Sequence, residues 1–376
     1  MRLLHTADWH VGKTLHGRNR MDEYEAVLAE IVAVANNENV DLTIVAGDLF
    51  DSASPPPAAE ALVYQTVLDL AKVSPVILIP GNHDSDRRLA AVAPLFELAG
   101  VHVRAFVGQD NPVYIEGKDG NTACVAILPW ISQRHIVKAE QIMTSDAAGL
   151  SGHFAERMQR VIAHVTSAFS TDTVNVLAGH ITLAGSSLGG GERTAQTIFD
   201  YWIEPGVFPA NAHYVALGHI HKRQAMLGRC PIHYSGSPVQ LDFSDHDGGK
   251  HVLIAEAAPG TPAEVREIPL ASGKRLRTVH GTLAELREIA TITRDDYLRI
   301  FVKEQARTGL GDEIRELFPN ALKIVIEAER PERADAGARD RAVSPAQLFE
   351  LYLGEKGVDD PALVSLFNEL HEECST

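Results

Sequence analysis

Five short apolar segments of this chain each end at polar side chains of the types that bind metal ions. These segments are Leu3–Leu4, Leu42–Val45, Val76–Ile79, Val174–Leu177 and Tyr214–Leu217. Longer segments with helical spacing lie between several of them, which is the pattern of a sheet covered by helices. In such a fold the loops at the carboxyl ends of neighbouring strands meet at one crevice. We therefore expect polar residues that are scattered along the chain to lie close together in space.

The residues that follow these segments are carboxylates, an amide and imidazoles. The set of ligand types is Asp8, His10, Asp48, Asn82, His180, His219 and His221. A mixed oxygen and nitrogen set without a thiolate suits two borderline divalent ions such as Mn²⁺, Fe²⁺ or Zn²⁺, with one carboxylate bridging them. Two such ions bind phosphate oxygens and activate a water molecule. The pattern therefore predicts phosphoester hydrolysis.

Each motif taken singly also fits an ordinary polar turn, since Gly, Asn and Asp favour turns. The presence of all five, in order and at strand ends, favours the metal centre over coincidence. Four other histidines, His5, His102, His213 and His233, are expected to be structural strand residues. The glycine-rich segment Gly185–Gly191 is predicted to be a mobile surface loop.

Composition limits the compartment and the class of partner. The 376 residues carry a net charge of −16, without the bulk basicity of a stand-alone nucleic-acid binder. Acidity does not exclude DNA as a substrate, because two bound cations reverse the local charge. No apolar run approaches the roughly 18 residues of a membrane span, and three scattered cysteines argue against disulfides and a cysteine-based zinc site. We predict a cytoplasmic protein with no membrane partner.

Helical spacing and apolar runs divide the chain into parts. Helices are predicted near Asp22–Asn37, Pro57–Lys72, Asp86–Leu98 and His153–Ser170. Short runs from Gln224 to Ala255 predict antiparallel strands that complete a second sheet or an edge. The strand and helix pattern of 272–328 then predicts a small α+β domain.

The last part of the chain is predicted to be a charged linker, 329–343, and two short helices in 344–376. Proline at the first helical position after a Ser cap and a later Gly stop mark the first of these helices. The apolar residues of the two helices are Leu348, Phe349, Tyr352, Leu363, Leu366, Phe367 and Leu370. So much apolar surface either packs back on this chain or docks on another protein.

The five motifs together resemble the five-block signature of the calcineurin-like metallophosphoesterases. Longer matches, among them LLHTADWHVGKTLHGRNR, GDLFD, PGNHDS, ALGHIHKRQ and YSGSP, more closely resemble the SbcD family of bacterial nuclease subunits. This resemblance implies an α/β fold, with a layered β-sandwich metallophosphoesterase core flanked by helices in 1–256. It also implies a capping domain in 272–328, and a C-terminal helical pair that binds an SbcC-type ATPase subunit.

The resemblance also implies roles for the motif residues. Asp8, His10 and His221 would bind one metal ion, Asn82, His180 and His219 the other, and Asp48 both, with Mn²⁺ as the metal. His83 would be the catalytic histidine that stabilises or protonates the leaving oxygen, and neighbouring Asp84 would fix its tautomer and its charge. Archaeal relatives have a histidine where this chain has Asp51, which we expect to support the ligands.

The function implied by the resemblance is a metal-dependent DNA phosphodiesterase. It would be a 3′-to-5′ exonuclease on duplex ends and a single-strand endonuclease, within an ATP-dependent complex that processes DNA breaks and hairpins. The resemblance also implies a homodimer that forms a two-plus-two assembly with the ATPase subunit. The expected location of this assembly is the nucleoid. The chain lacks a GxxxxGK[ST] loop, so the ATP dependence would come from the partner.

Basic residues flanking the motifs are candidates for contacts with the DNA backbone. They are Lys13, Arg18, Arg20, Arg87 and Arg88, with Lys222 and Arg223 after the last motif. Solvated surface charge is the alternative for each. Two other functions remain open: a phosphodiesterase for small substrates such as cyclic nucleotides or nucleotide sugars, and a non-catalytic scaffold.

Overall fold

The computed structural model of the chain describes residues 1–108, 112–131, 147–190, 192, 202–245 and 249–327, together with five single residues between 349 and 367. The chain forms two compact units, Met1–Glu327 and Ala328–Thr376. The strands and helices given next all belong to the first unit. None of the described helices is long and apolar enough to cross a membrane.

The first sheet has six strands, in the order β12-β11-β1-β2-β3-β4. They are β1 (Arg2–Thr6), β2 (Leu42–Ala46), β3 (Val76–Ile79), β4 (Val101–Val103), β11 (Lys250–Ala258) and β12 (Thr261–Leu270). The strands β1 to β4 are parallel, whereas β11 pairs antiparallel with β1 and β12. The expectation that Lys250–Ala255 completes a second sheet is therefore wrong, because β11 pairs with the first strand of the chain.

The second sheet also has six strands, in the order β5-β6-β7-β8-β10-β9. They are β5 (Val113–Glu116), β6 (Thr122–Leu128), β7 (Val174–His180), β8 (Tyr214–Gly218), β9 (Gln224–Met226) and β10 (Ile232–Tyr234). The central strands β6, β7, β8 and β10 are parallel. Their continuous apolar runs follow from burial on both faces, as is usual for parallel strands.

The two sheets pack face to face and helices cover their outer faces. Leu3 and Ile44 of the first sheet meet Val125 and Val176 of the second in one buried cluster. The helices α1 (Met21–Asn37), α2 (Pro57–Ala71) and α3 (Asp86–Glu97) pack on the first sheet, and α4 (Ala147–Val165) packs on the second. This is the layered α/β sandwich that the sequence predicts, and the four predicted helices are confirmed.

A small three-stranded parallel sheet follows the sandwich. It consists of β13 (Leu276–Gly281), α5 (Leu283–Ile289), β14 (Tyr297–Val302), α6 (Leu310–Leu317) and β15 (Ala321–Ile326). Helix α5 begins at Thr282, whose hydroxyl accepts the Glu285 backbone N–H while the Glu285 carboxylate accepts the Thr282 N–H. The helices α5 and α6 bury one face of this sheet. The predicted order of strands and helices is confirmed.

The two terminal helices are predicted within the second unit. Its described residues, Phe349, Leu353, Leu363, Val364 and Phe367, are helical, and the rings of Phe349 and Phe367 stack with their centroids 4.3 Å apart. The predicted linker 329–343 lies outside the described residues. So do the remaining predicted partner-binding residues, Leu348, Tyr352, Leu366 and Leu370.

Candidate metal centre

The carboxyl ends of strands from both sheets meet at one buried site. The loop after β1 is joined to the loop after β2 by the Asp8 N–H, which donates to the Gly47 carbonyl at 3.0 Å. The loop after β8 joins them through the His219 N–H, which donates to Asp8 Oδ1 at 2.8 Å. All seven predicted ligands lie here, and six of them are buried, with Asn82 half-buried.

Close approach of the backbones explains the glycines before the ligands. A Cβ atom on Gly47 would lie 2.3 Å from Nδ1 of His180, and one on Gly218 would lie 2.0 Å from the Ala46 carbonyl oxygen. The ligands themselves carry strain, since Asp8, Asp48 and His219 have φ values of 54°, 51° and 99°. Residues other than glycine adopt such values at a cost, and they concentrate at functional sites.

One group of ligands surrounds Nε2 of His10. This atom lies 3.1 Å from Nε2 of His221 and 3.6 Å from Oδ2 of Asp48. Nδ1 of His221 donates to the Gly190 carbonyl at 3.0 Å, which leaves the lone pair of its Nε2 pointing at His10. Two imidazole nitrogens that face each other at this distance share either a proton or a cation.

A second group surrounds the side-chain oxygen of Asn82. This oxygen lies 3.0 Å from Nε2 of His180 and 2.8 Å from Nδ1 of His219. Nδ1 of His180 donates to the Ala46 carbonyl at 2.8 Å, and its Nε2 lies 3.5 Å from Oδ2 of Asp48. The Asp48 carboxylate therefore contacts both groups of ligands, as a bridging ligand must.

The buried polar atoms of this site fit bound cations. Among the described residues, Oδ2 of Asp8 and Nε2 of His219 are buried without any hydrogen-bond partner. Such atoms are rare in folded proteins because desolvation without a partner costs free energy. Divalent cations held by carboxylate, amide and imidazole groups would satisfy both atoms.

The electrostatics of the site favour cations as well. Burial raises the pKa of Asp8 to about 7, and the Asp48 carboxylate adds to this shift. Burial lowers the pKa of His219 to about 3, with a further contribution from His180. Although burial opposes it, the Asp48 carboxylate raises the pKa of His180 to about 9. A bound divalent cation would take the place of the protons that Asp8 and His180 otherwise hold.

His83 lies at the edge of this site and is held by Asp51. Its Nδ1 donates to the Asp51 carbonyl at 2.9 Å, and its ring centroid is 4.6 Å from that of His10. The carboxylate of Asp84 accepts backbone N–H groups of Leu49, Phe50 and Gly81. The expectation that Asp84 fixes the tautomer of His83 is therefore wrong, since Asp84 joins two loops and a backbone carbonyl holds Nδ1.

The glycine-rich loop contributes to the site, contrary to the prediction of a mobile surface segment. The Gly190 carbonyl accepts from His221, and the Glu192 carboxylate accepts the backbone N–H groups of Gly189, Gly190 and His221. Glu192 therefore holds both the loop and the backbone of a candidate ligand. The sequence carried one signal for it, a carboxylate directly after a run of glycines.

Trp130 is a second residue that sequence reasoning missed. Its ring stacks on His219, with centroids 5.1 Å apart and an interplanar angle of 26°, and its edge packs on His180. Trp130 follows the end of β6, so the rule that selected the ligands, a functional side chain just after a strand, would have found it.

The predicted DNA contacts differ in their surroundings. Arg20 is buried, and its guanidinium donates to both carboxylate oxygens of Glu23 at 2.8 Å. It cannot reach DNA, so that prediction is wrong. Arg18 and Arg87 are exposed. The exposed Arg88 pairs with Glu60, and Lys13 is half-buried with its Nζ 3.1 Å from Oδ1 of Asp51.

Comparison with known proteins agrees with this geometry. The family model of the calcineurin-like phosphoesterases matches residues 1–223. The chain therefore belongs to the calcineurin-like phosphoesterase family.

Curated relatives are more specific. The chain is 34% identical to the SbcD subunit of the nuclease SbcCD from Bacillus subtilis, in an alignment that covers 98% of this chain and 97% of that protein. It is 32% identical to the SbcD protein of Rhodobacter capsulatus, over 72% of this chain and 69% of that protein. The corresponding protein of Escherichia coli K12 is 29% identical, over 76% of this chain and 72% of that protein.

Proposed function

We propose that this chain is the nuclease subunit of an SbcCD-type complex and hydrolyses phosphodiester bonds in DNA. Its family and its curated relatives make it a phosphodiester-hydrolysing enzyme. The observation that carries the proposal is the set of seven ligand-type side chains, six of them buried, with His83 at its edge, in a chain that aligns with a nuclease subunit over almost its whole length.

The proposed site holds two divalent metal ions, and Mn²⁺ is the metal that we propose. One group of ligands is Asp8, His10 and His221, the other is Asn82, His180 and His219, and Asp48 belongs to both. Such a pair of ions supplies hydroxide at neutral pH and neutralises the charge of the reacting phosphate. The donor set and the unpartnered atoms of Asp8 and His219 support this assignment.

His83 is the proposed catalytic residue because of its fixed orientation. Nδ1 donates to the Asp51 carbonyl, which fixes the tautomer of the ring, and Nε2 is the atom that we propose exchanges a proton with the leaving oxygen of the substrate. The Glu192 carboxylate holds the backbone N–H of His221, and the Gly190 carbonyl holds its Nδ1. Trp130 packs over His219 and His180, which limits the access of water to that side of the site.

The proposed substrates are duplex ends, hairpins and single strands of DNA. Cleavage would be 3′-to-5′ on duplex ends and endonucleolytic on single strands. Lys13, Arg18, Arg87 and Arg88 are the proposed backbone contacts, a set that omits the buried Arg20. The proposed location is the cytoplasm, at the nucleoid.

The proposed partner is an SbcC-type ATPase subunit in a two-plus-two assembly, bound through the helices of 344–376. The proposed domains are a nuclease domain, 1–256, and a capping domain, 272–328, followed by the linker 329–343. The first sheet continues beyond residue 256, since β11 ends at Ala258 and β12 ends at Leu270, so the connection to the proposed capping domain is short.

The test is hydrolysis by the purified chain of end-labelled duplex and single-stranded DNA, with Mn²⁺, Mg²⁺ or EDTA, beside a small phosphate bis-ester. We expect Mn²⁺-dependent cleavage of DNA that His83→Ala abolishes. Turnover of the small ester without any cleavage of DNA, even with the ATPase subunit and ATP present, would instead identify a small-substrate phosphodiesterase.

A further inference from the structure

The small sheet of β13, β14 and β15 has one face without a helix over it among the described residues. Val279, Ile300 and Ile324 point toward α5 and α6 on the covered face. The other face holds the alternate residues, in the registered rows Leu276–Tyr297, Thr278–Arg299–Lys323 and His280–Phe301–Val325. Leu276 and Tyr297 pack in a buried cluster with Leu15 and Phe243 of the sandwich, and the residues of the other two rows, which we call the open face, do not belong to that cluster. An open sheet face is usually polar, so the aromatic side chain here needs an explanation.

Five side chains of this face and of the adjoining sandwich form one row of neighbouring rings and a guanidinium group, which we call the aromatic row. In order, it consists of His280, Phe301, Arg299, Phe243 and His16. The rings of His280 and Phe301 are parallel to within 6°, with centroids 4.5 Å apart, and the rings of Phe243 and His16 are 5.7 Å apart. The guanidinium carbon of Arg299 lies 5.8 Å from the centroid of Phe301 and 5.1 Å from that of Phe243. All five side chains are exposed or half-buried.

The charge of the row is opposite to that of the chain. The six registered positions on the open face contain Arg299 and Lys323 but no carboxylate, although the whole chain carries a net charge of −16. A carboxylate beside the row, Asp242, accepts hydrogen bonds from the side chain and backbone of Ser244. The row therefore presents cations and flat rings together.

His16, at one end of the row, belongs to the segment after β1 that also carries Asp8 and His10. Lys13, three residues before His16, lies 3.1 Å from Oδ1 of Asp51, whose carbonyl holds His83. Although burial opposes it, Ser244 lowers the pKa of Asp242, and the charges of Arg299 and Lys13 contribute to this shift. Arg299 of the small sheet and Lys13 of the metal-site loop thus lie near the same carboxylate.

Flat rings and guanidinium planes next to a phosphodiesterase site match the chemistry of nucleobases. Bases stack on aromatic side chains and on arginine, while nearby cations attract the backbone. We propose that the aromatic row binds unpaired bases of single-stranded DNA beside the metal centre. The inference rests on the proposed function as a DNA nuclease and adds to it a surface that distinguishes unpaired from paired DNA without reading sequence.

The test compares binding of strands with and without bases. The full-length chain is titrated, in EDTA so that no strand is cut, against a fluorescent oligodeoxythymidine and an abasic strand of equal length. We expect the wild type to bind the thymidine strand about tenfold more tightly, the ratio that stacking of a base produces. Phe301→Leu removes the aromatic ring but keeps an apolar side chain, and Arg299→Lys keeps the positive charge but removes the planar guanidinium group. Both are expected to reduce this ratio toward one, with unchanged affinity for the abasic strand.

The matched control is Phe106→Leu, the same change at an exposed phenylalanine outside the row, which should leave the ratio unchanged. Thermal melting of each variant establishes that it is folded. An unchanged ratio in Phe301→Leu and Arg299→Lys would overturn the inference, as would an equal loss for both strands. Duplex binding and Mn²⁺-dependent cleavage by the wild type, measured on the same samples, test the proposed function separately. A wild type that binds neither strand nor duplex would overturn both.

Discussion

His83 and Asp48 are hydrogen-bonded neighbours whose side chains have different surroundings. The backbone N–H of His83 donates to Oδ1 of Asp48, and Oδ2 of Asp48 faces both His10 and His180. The imidazole of His83 is instead turned toward the Asp51 carbonyl at the edge of the site. The proposed ligand and the proposed proton donor can therefore be separated by substitution, although they lie side by side.

We expect His83→Ala to retain both metal ions and Asp48→Ala to lose them. His83→Ala removes only a proton-transfer group, which typically reduces the rate of cleavage by about 10² to 10⁴ fold. Asp48→Ala removes the one carboxylate that contacts both groups of ligands. Metal content by mass spectrometry and cleavage of labelled DNA measure the two effects. Equal metal loss in both variants would contradict the assignment.

The affinity of the site for Mn²⁺ is expected to rise with pH. The pKa of Asp8 is raised to about 7 and that of His180 to about 9, so both hold protons in the metal-free site at low pH. Below pH 7 metal binding must displace one proton from Asp8 and one from His180, and between pH 7 and 9 only the proton of His180. For each proton that must be displaced, the affinity falls roughly tenfold for every unit by which the pH is lowered. Calorimetric titrations at pH 6, 7, 8 and 9 measure this slope. An affinity that is constant over this range would contradict it.

At the scale of the elements, the metal centre depends on how closely β2 and β8 approach each other. Gly218, at the end of β8, lies against the carbonyl of Ala46 at the end of β2. No side chain fits between the two strand ends. The loops that carry Asp48 and His219 therefore keep their spacing only while this contact is preserved.

Gly218→Ala is expected to weaken metal binding and to destabilise the fold by about 1–3 kcal/mol, the usual cost of overpacking a close contact. Its Cβ atom would lie 2.0 Å from the Ala46 oxygen. Gly206→Ala is the control, since nothing lies within 4 Å of a Cβ atom built there. Thermal unfolding and Mn²⁺ titration compare the two variants. A Gly218→Ala protein that behaves like the control would show that the strand ends can separate without cost.

At the scale of the whole molecule, the proposed site of cleavage and the proposed partner-binding helices lie in different units. The candidate metal centre and the aromatic row both lie within Met1–Glu327, whereas the predicted partner-binding helices lie within Ala328–Thr376. The described residues of the second unit include the stacked pair Phe349 and Phe367. Changes in the second unit should therefore affect the partner and leave the chemistry intact.

Replacing Leu366 and Phe367 with serine is expected to abolish binding of the SbcC-type ATPase subunit, because anchors of a docking surface are apolar. Mn²⁺-dependent cleavage by the isolated chain should be unchanged. Leu227→Ser is the control, since Leu227 is 95% exposed in the first unit. Co-purification with the ATPase subunit and a cleavage assay measure both properties. Retained co-purification of the double variant would contradict the docking proposal.

Local sequence determined most of the elements and the choice of the candidate ligands. Apolar runs that end at Gly-Asp, Gly-Asn-His or Gly-His predict both a strand and a polar loop, since these depend on neighbouring residues alone. The helices follow from spacing for the same reason. Their presence in the structure confirms α1 to α4 and the order of strands and helices in the small sheet.

Only the tertiary structure decided which distant residues meet. Arg20 is a basic residue that follows the first motif and is a candidate for a DNA contact for that reason, yet its pairing with Glu23 and its burial exclude that role. Three other features join residues that are far apart in the chain. The strand β11 pairs with β1, the Glu192 carboxylate accepts the backbone N–H of His221, and the guanidinium of Arg299 lies over the ring of Phe243. The physical reason is that local propensity sets the conformation of a segment, whereas side-chain burial and pairing depend on the segments packed against it.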